Sequence, residues 1–127
     1  MSSKVIWITG LSGAGKTTLA KELVLRLEKT GVKPILLDGD VLRDILKSPN
    51  QEIDGHSRDA RIELALKYAK LCKGLSSQGF TVVIATISMF TQVYAWNRLN
   101  LPDYFEVYLK VPLEELRRRD PKFIYER

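Results

Sequence analysis

The stretch Gly10-Leu11-Ser12-Gly13-Ala14-Gly15-Lys16-Thr17 constrains this chain more than any other. It fits G-x-x-x-x-G-K-[ST], the pattern of a phosphate-binding P-loop. Glycines let the backbone wrap closely around a phosphate chain with its N–H groups turned inward. Lys16 is then expected to reach the β- and γ-phosphates, and the Thr17 hydroxyl to sit on Mg²⁺. The pattern is short, so its context carries the argument. Val5-Ile6-Trp7-Ile8-Thr9 before it is apolar, β-branched and strand-like. After it, Leu19, Leu23 and Leu27 recur at helical spacing. Strand, glycine loop and helix N-terminus is the order such a loop needs, because the helix dipole adds to the N–H cradle.

The rest of the chain repeats that alternation. Gly31 stops the first helix. Pro34-Ile35-Leu36-Leu37 predicts a short buried strand that delivers Asp38-Gly39-Asp40 at its C-terminal end, and Val41 to Leu46 a short helix. Lys47 to Gly55 is polar, with Pro49, Asn50 and Gly55, and predicts a loop. Ser57 caps a long helix to about Ser77, with Ile62, Ala65, Leu66, Ala69 and Leu71 on its apolar side. Phe80 to Ile87 is the most hydrophobic run and predicts a central parallel strand. Thr91 to Leu99 predicts a helix, Tyr104 to Leu109 a strand, and Leu113 to Arg119 a helix behind Pro112. The fold class is therefore α/β, one domain over residues 1–127: a parallel β-sheet with helices on both faces. Right-handed crossovers place the P-loop, Asp38-Gly39-Asp40 and Ile87-Ser88 along one edge of that sheet. These separate signals thus converge on one cleft.

Composition narrows the partners. The chain has 127 residues, 45% hydrophobic and 28% charged, which describes a soluble globular protein. No apolar run approaches a membrane span. Met1-Ser2-Ser3-Lys4 leads straight into the first strand and leaves no room for a signal peptide, so the expected location is the cytoplasm. Cys72 is the sole cysteine and falls in a helical pattern, as a small core residue would. The net charge of +5 suits an anionic partner. The basic residues are scattered, with Arg117-Arg118-Arg119 the densest cluster, which favours a nucleotide over a nucleic acid. A guanine-reading Asn-Lys-x-Asp is absent, and a motor or transporter ATPase needs a longer chain. What is left is a small P-loop kinase acting on a second small molecule beside ATP.

Several segments together resemble adenylylsulfate kinases in order and approximate spacing. They are Gly10 to Ala20, Leu37-Asp38-Gly39-Asp40 with Arg43, Ile87-Ser88, Glu106-Val107, Pro112-Leu113-Glu114, and Arg119-Asp120-Pro121-Lys122 with Tyr125. The resemblance implies a P-loop NTPase fold, the cofactors ATP and Mg²⁺, and transfer of the γ-phosphate to the ribose 3′-hydroxyl of adenylyl sulfate in sulfate assimilation. It also implies pairing as a homodimer. By resemblance, Gly10, Ser12, Gly13, Ala14, Gly15, Lys16, Thr17, Thr18 and Arg119 bind ATP, and Lys122 approaches the transferred phosphoryl group. Of the two carboxylates at the strand end, one serves the metal shell and one accepts a hydrogen bond from the acceptor hydroxyl. The resemblance favours Asp40 beside the hydroxyl, leaving Asp38 with Thr17 for the metal; an Asx turn that merely ends the strand is the plain alternative. Arg43 and Arg61 are expected to grip the acceptor's phosphate or sulfate, since guanidinium forks match tetrahedral anions. Ile87 and Ser88 lie by the active site in the family, although Ser88 also suits a helix cap.

The departures all fall on the acceptor side. The family's Gly-Phe-Ser-x-x-Asp-Arg-x-x-Asn corresponds here to Gly55-His56-Ser57-Arg58-Asp59-Ala60-Arg61-Ile62-Glu63-Leu64. His56 replaces the aromatic that stacks on the substrate base, and Leu64 replaces the asparagine. Met89 stands for the usual proline and Tyr94 for an arginine, while Arg98 matches a second arginine. Two other functions therefore stand beside the first. One is a related kinase for another small anionic nucleotide, such as cytidine diphosphoramidate. The other is a nucleotide-binding module without turnover, because family members continue past the Arg-Asp-Pro-Lys segment with more chain that covers the nucleotide.

Overall fold

The computed structural model describes residues 3–11, 13–46, 57–110, 114 and 118. In chain order its elements are β1 (Val5–Gly10), α1 (Lys16–Lys29), β2 (Ile35–Asp38), α2 (Gly39–Leu46), α3 (Arg58–Ser77), β3 (Val82–Thr86), α4 (Thr91–Asn100) and β4 (Tyr104–Leu109). The predicted loop over Lys47 to Gly55 lies outside the described residues. Of the predicted helix from Leu113 to Arg119, Glu114 and Arg118 are described, and both are helical.

The strands pair in parallel in the order β2-β3-β1-β4. This order decides where the site lies. From β1 the chain crosses through α1 to β2, on one side of β3; from β3 it crosses through α4 to β4, on the other side of β1. The connections leave β1 and β3 in opposite directions, so a crevice opens beyond their C-terminal ends. The P-loop follows β1 and Ile87-Ser88 follows β3, which brings both into that crevice.

Helices cover both faces. On one face Val5, Trp7, Val82 and Ile84 pack with Leu42 of α2, Ala65, Tyr68, Ala69 and Cys72 of α3, and Val93 of α4. On the other, Ile8, Val83 and Ala85 meet Ala20 of α1, flanked by Leu19, Leu23 and Leu27. Every residue of β3 is buried, which is why that run is continuously apolar. Phe80 and Ile87 extend past the strand and are half-exposed, at 42% and 47%.

Two local details differ from the sequence expectation. The α3 stripe that reaches the core is Ala65, Tyr68, Ala69, Cys72 and Ser76; Ile62, Leu66 and Leu71 flank it, partly buried. The helix is capped as expected, with Ser57 Oγ accepting from the Ala60 N–H at 3.1 Å. Cys72 is fully buried, and burial pushes its thiol up to about 12, so it stays a neutral core residue. The second difference is that α2 starts at Gly39, directly off β2. Asp38 Oδ1 accepts the Asp40 N–H at 2.8 Å and so supplies the cap at the strand's last residue.

Candidate active site

A cavity of about 570 Å³ occupies the crevice. Gly13, Gly15, Lys16, Thr17 and Thr18 line it from the loop and α1; Asp38, Gly39, Asp40 and Arg43 line it from β2 and α2. Arg61, Leu64 and Tyr68 come from α3, and Ile87, Ser88 and Phe90 from the segment after β3. The expected nucleotide, metal and acceptor residues among these thus share one space. Gly10 and Ala14 do not line it. Gly10 closes β1 against β4, and Ala14 is buried with its N–H on the Leu11 carbonyl at 3.1 Å. Ser12, His56, Arg119 and Lys122 lie outside the described residues.

The loop's shape follows from its glycines. Gly15 takes a φ of 96° at the N-terminus of α1, a left-handed conformation that costs a residue with a Cβ. It turns the chain so that α1 begins at Lys16 and points its N-terminus into the cavity. The Lys16 ammonium donates to the Leu11 carbonyl at 3.0 Å, folded back across the loop.

The second wall is built by close approach. A Cβ on Gly39 would lie 2.8 Å from the Ala85 carbonyl oxygen and 3.1 Å from the Thr86 Cα, both backbone. Glycine therefore lets α2 start hard against the end of β3. Tyr68 fixes the same turn from behind, its hydroxyl donating to the Gly39 carbonyl at 3.3 Å. Burial pushes that phenol up to about 12, with the Asp40 and Asp44 charges adding and Arg43 opposing. The hydroxyl thus keeps its proton and remains a donor. Gly39→Ala forces backbone apart and is expected to destabilise the fold by about 1–3 kcal/mol; urea unfolding measures this, and a loss below about 0.5 kcal/mol would mean the contact relaxes freely.

Ser88 does not cap α4; Phe90 is the N-cap residue and makes no side-chain cap. Ser88 Oγ instead pairs with Thr86 Oγ1 at 2.9 Å, and its carbonyl accepts from Thr9 Oγ1 at 3.0 Å. These bonds lash the segment after β3 to β1 beside the loop. Arg98 is turned away from the cavity: it pairs with Glu106 of β4 and covers the Tyr94 ring at 5.8 Å.

For a divalent cation the cavity offers Thr17, Asp38 and Asp40, all oxygen donors of the kind Mg²⁺ takes. Among the described residues no group of three or more His, Cys, Asp or Glu side chains could hold a metal.

Leu64 lines the cavity as its place among the acceptor-side departures implies, whereas Tyr68 and Phe90 were not expected as site residues. Arg61, Leu64 and Tyr68 stand at i, i+3 and i+7, so the helical period carried the signal for the two on α3. Phe90 lies between strand and helix, where no period marks it.

A model of the adenylylsulphate kinase family matches residues 2–127. The chain belongs to the adenylylsulphate kinase family. It is 44% identical over 124 residues to the cytidine diphosphoramidate kinase of Campylobacter jejuni, covering 95% of this chain and 68% of that protein. It is 37% identical over 125 residues to a probable adenylyl-sulfate kinase of Pyrococcus abyssi, covering 98% and 70%. Among solved structures, the Mycobacterium tuberculosis APS kinase CysC in complex with AMPPNP and APS superposes with a TM-score of 0.83 at 32% identity, over 98% of this chain and 72% of that one. The chain thus spans about two thirds of these relatives, and its fold and P-loop are those of a nucleotide-binding kinase family. Among the described residues no helix is long and apolar enough to cross a membrane.

Proposed function

We propose that this chain catalyses ATP-dependent phosphoryl transfer to a hydroxyl of a small anionic nucleotide. One observation carries this: a single cavity holds both a phosphate-loop set, Lys16, Thr17 and Thr18, and a second anion-handling set, Asp38, Asp40, Arg43 and Arg61. Phosphoryl transfer demands mainly that donor and acceptor be positioned and their charge neutralised. In this proposal Lys16 and the loop N–H groups hold the ATP phosphates. Thr17 and Asp38 hold Mg²⁺, which when bound spreads the charge of the β- and γ-phosphates. Asp40 accepts the acceptor hydroxyl's hydrogen bond, and Arg43 and Arg61 hold its anionic group. The roles expected for Ser12, His56, Arg119 and Lys122 belong to the same proposal.

For the acceptor, we place cytidine diphosphoramidate ahead of adenylyl sulfate. The 44% identical relative supports that order, as does Leu64, which lines the cavity where the family pattern has asparagine. A leucine makes no hydrogen bond, so the wall reads its ligand by shape at that point. Adenylyl sulfate is the second reading, supported by the family match and the 37% identical relative.

Incubating the protein with ATP, Mg²⁺ and each nucleotide in turn, with product identified by mass spectrometry, tests this. The expected result is a kcat/KM for cytidine diphosphoramidate at least tenfold above that for adenylyl sulfate. A reversed preference moves the acceptor to adenylyl sulfate. ATP binding with transfer to neither would overturn the kinase proposal in favour of a nucleotide-binding module.

A further inference from the structure

The geometry points to Phe90 as a positioning residue for the acceptor: its ring holds the Arg61 guanidinium at the cavity wall. This rests on the proposal above that Arg61 grips the acceptor's anionic group.

Arg58 and Arg61 lie at i and i+3 on the opening turns of α3, on the same side of the helix. Cations there oppose the helix dipole, which favours negative charge at an N-terminus. Both are exposed, and a free arginine samples many rotamers that binding must freeze. The structure offsets both costs with one ring. The Arg61 Cζ stands 5.3 Å from the Phe90 centroid and the Arg58 Cζ 5.8 Å, within range for a cation over an aromatic face. Arg58 also donates to Gln92 Oε1 at 3.5 Å, which fastens the start of α3 to the start of α4.

The ring itself is firmly placed. Phe90 packs against the core formed by α3 and α4. Its carbonyl accepts the N–H groups of Val93 and Tyr94 at 3.0 and 3.1 Å. Two residues earlier, Ser88 is bonded to Thr86 and Thr9. A chain of contacts therefore runs from β1 and β3 through the Phe90 ring to Arg61. Phe90 and Arg61 both line the cavity, whereas Arg58 does not. Arg61 is thus the one of the two arginines that meets the acceptor, while Arg58 braces the ring.

Steady-state kinetics on Phe90→Leu, Phe90→Met, Phe90→Tyr, Arg61→Met and the Phe90→Leu/Arg61→Met double variant tests this, with whichever acceptor the enzyme uses. Leu and Met keep an apolar side chain and remove the π face, and Met fills the gap should Leu leave a destabilising void. Both are expected to raise the acceptor KM about fivefold, with kcat and the KM for ATP within about twofold. Phe90→Tyr, which keeps the ring, should restore the wild-type KM. Arg61→Met should raise the acceptor KM about thirtyfold, as loss of a charge-assisted bond does. The double variant should match Arg61→Met alone, because the ring acts only through the guanidinium. Additive effects in the double variant would overturn the proposal, since Phe90 would then touch the acceptor itself. A normal KM in both Phe90→Leu and Phe90→Met beside a raised KM in Arg61→Met would overturn it while leaving the role of Arg61 intact. A normal KM in Arg61→Met would remove that role and this inference with it.

Discussion

Replacing Lys16 with alanine is expected to lower kcat/KM for ATP by roughly a thousandfold, the upper range for removing one preorganised charge at a developing anion. The reason lies in the loop's geometry. Gly13 and Gly15 supply backbone to the cavity, and Lys16 stands at the N-terminus of α1. The Lys16 ammonium bonds to the Leu11 carbonyl across the loop. In the proposed role the ammonium meets the phosphate oxygens of ATP, a stronger charge-assisted contact than a neutral carbonyl gives. Lys16→Arg is not expected to rescue activity, because a planar fork cannot replace a compact ammonium on a short reach. Calorimetric titration with a non-hydrolysable ATP analogue separates the two components, and both affinity and rate should fall. Activity within tenfold of wild type in Lys16→Ala would mean that this loop does not cradle the transferred phosphate, and the catalytic reading of the cavity would fall.

The sequence carried the architecture because the strands are written in β-branched runs and the helices in leucine and alanine spacings. The predicted strand from Tyr104 to Leu109 matches β4 at both ends. It also carried the cleft, since strand alternation and crossover handedness bring the segments after β1, β2 and β3 to one edge whatever the side chains do. Tertiary contact was harder to foresee. The sequence predicts the short helix from Val41, two residues after its start at Gly39. It begins at Gly39 because Asp38 caps it and because no larger residue fits beside Ala85 and Thr86. Tyr68 is similar: its ring belongs to the core, and only the packed structure brings its hydroxyl to Gly39. Phe90 meets arginines about thirty residues away in the chain, a pairing that no local pattern encodes.

Asp40→Asn is expected to cut kcat by about a hundredfold or more while ATP affinity stays near wild type. The two carboxylates are held differently. Asp38 is engaged with the turn, accepting the Asp40 N–H, so an Asx turn is present. Asp40 sits exposed in the first turn of α2 and lines the cavity. An asparagine at Asp40 keeps the shape and removes one charge. Its loss at a helix N-terminus costs about 0.3–1 kcal/mol of stability, too little to unfold the chain. Asp38→Asn is the control: asparagine caps helices as well as aspartate, so the turn should persist and thermal stability should change little. The two variants therefore test different things: Asp38→Asn keeps the capped turn and probes the proposed metal shell, and Asp40→Asn probes the proposed contact with the acceptor hydroxyl. An interaction made mainly in the transition state lowers kcat without raising the KM for ATP. Near-wild-type kcat in Asp40→Asn, with Asp38→Asn strongly impaired even at saturating Mg²⁺, would exchange the roles assigned to them. Near-wild-type kcat in both would leave the carboxylates as architecture, holding Gly39 against β3 and nothing more.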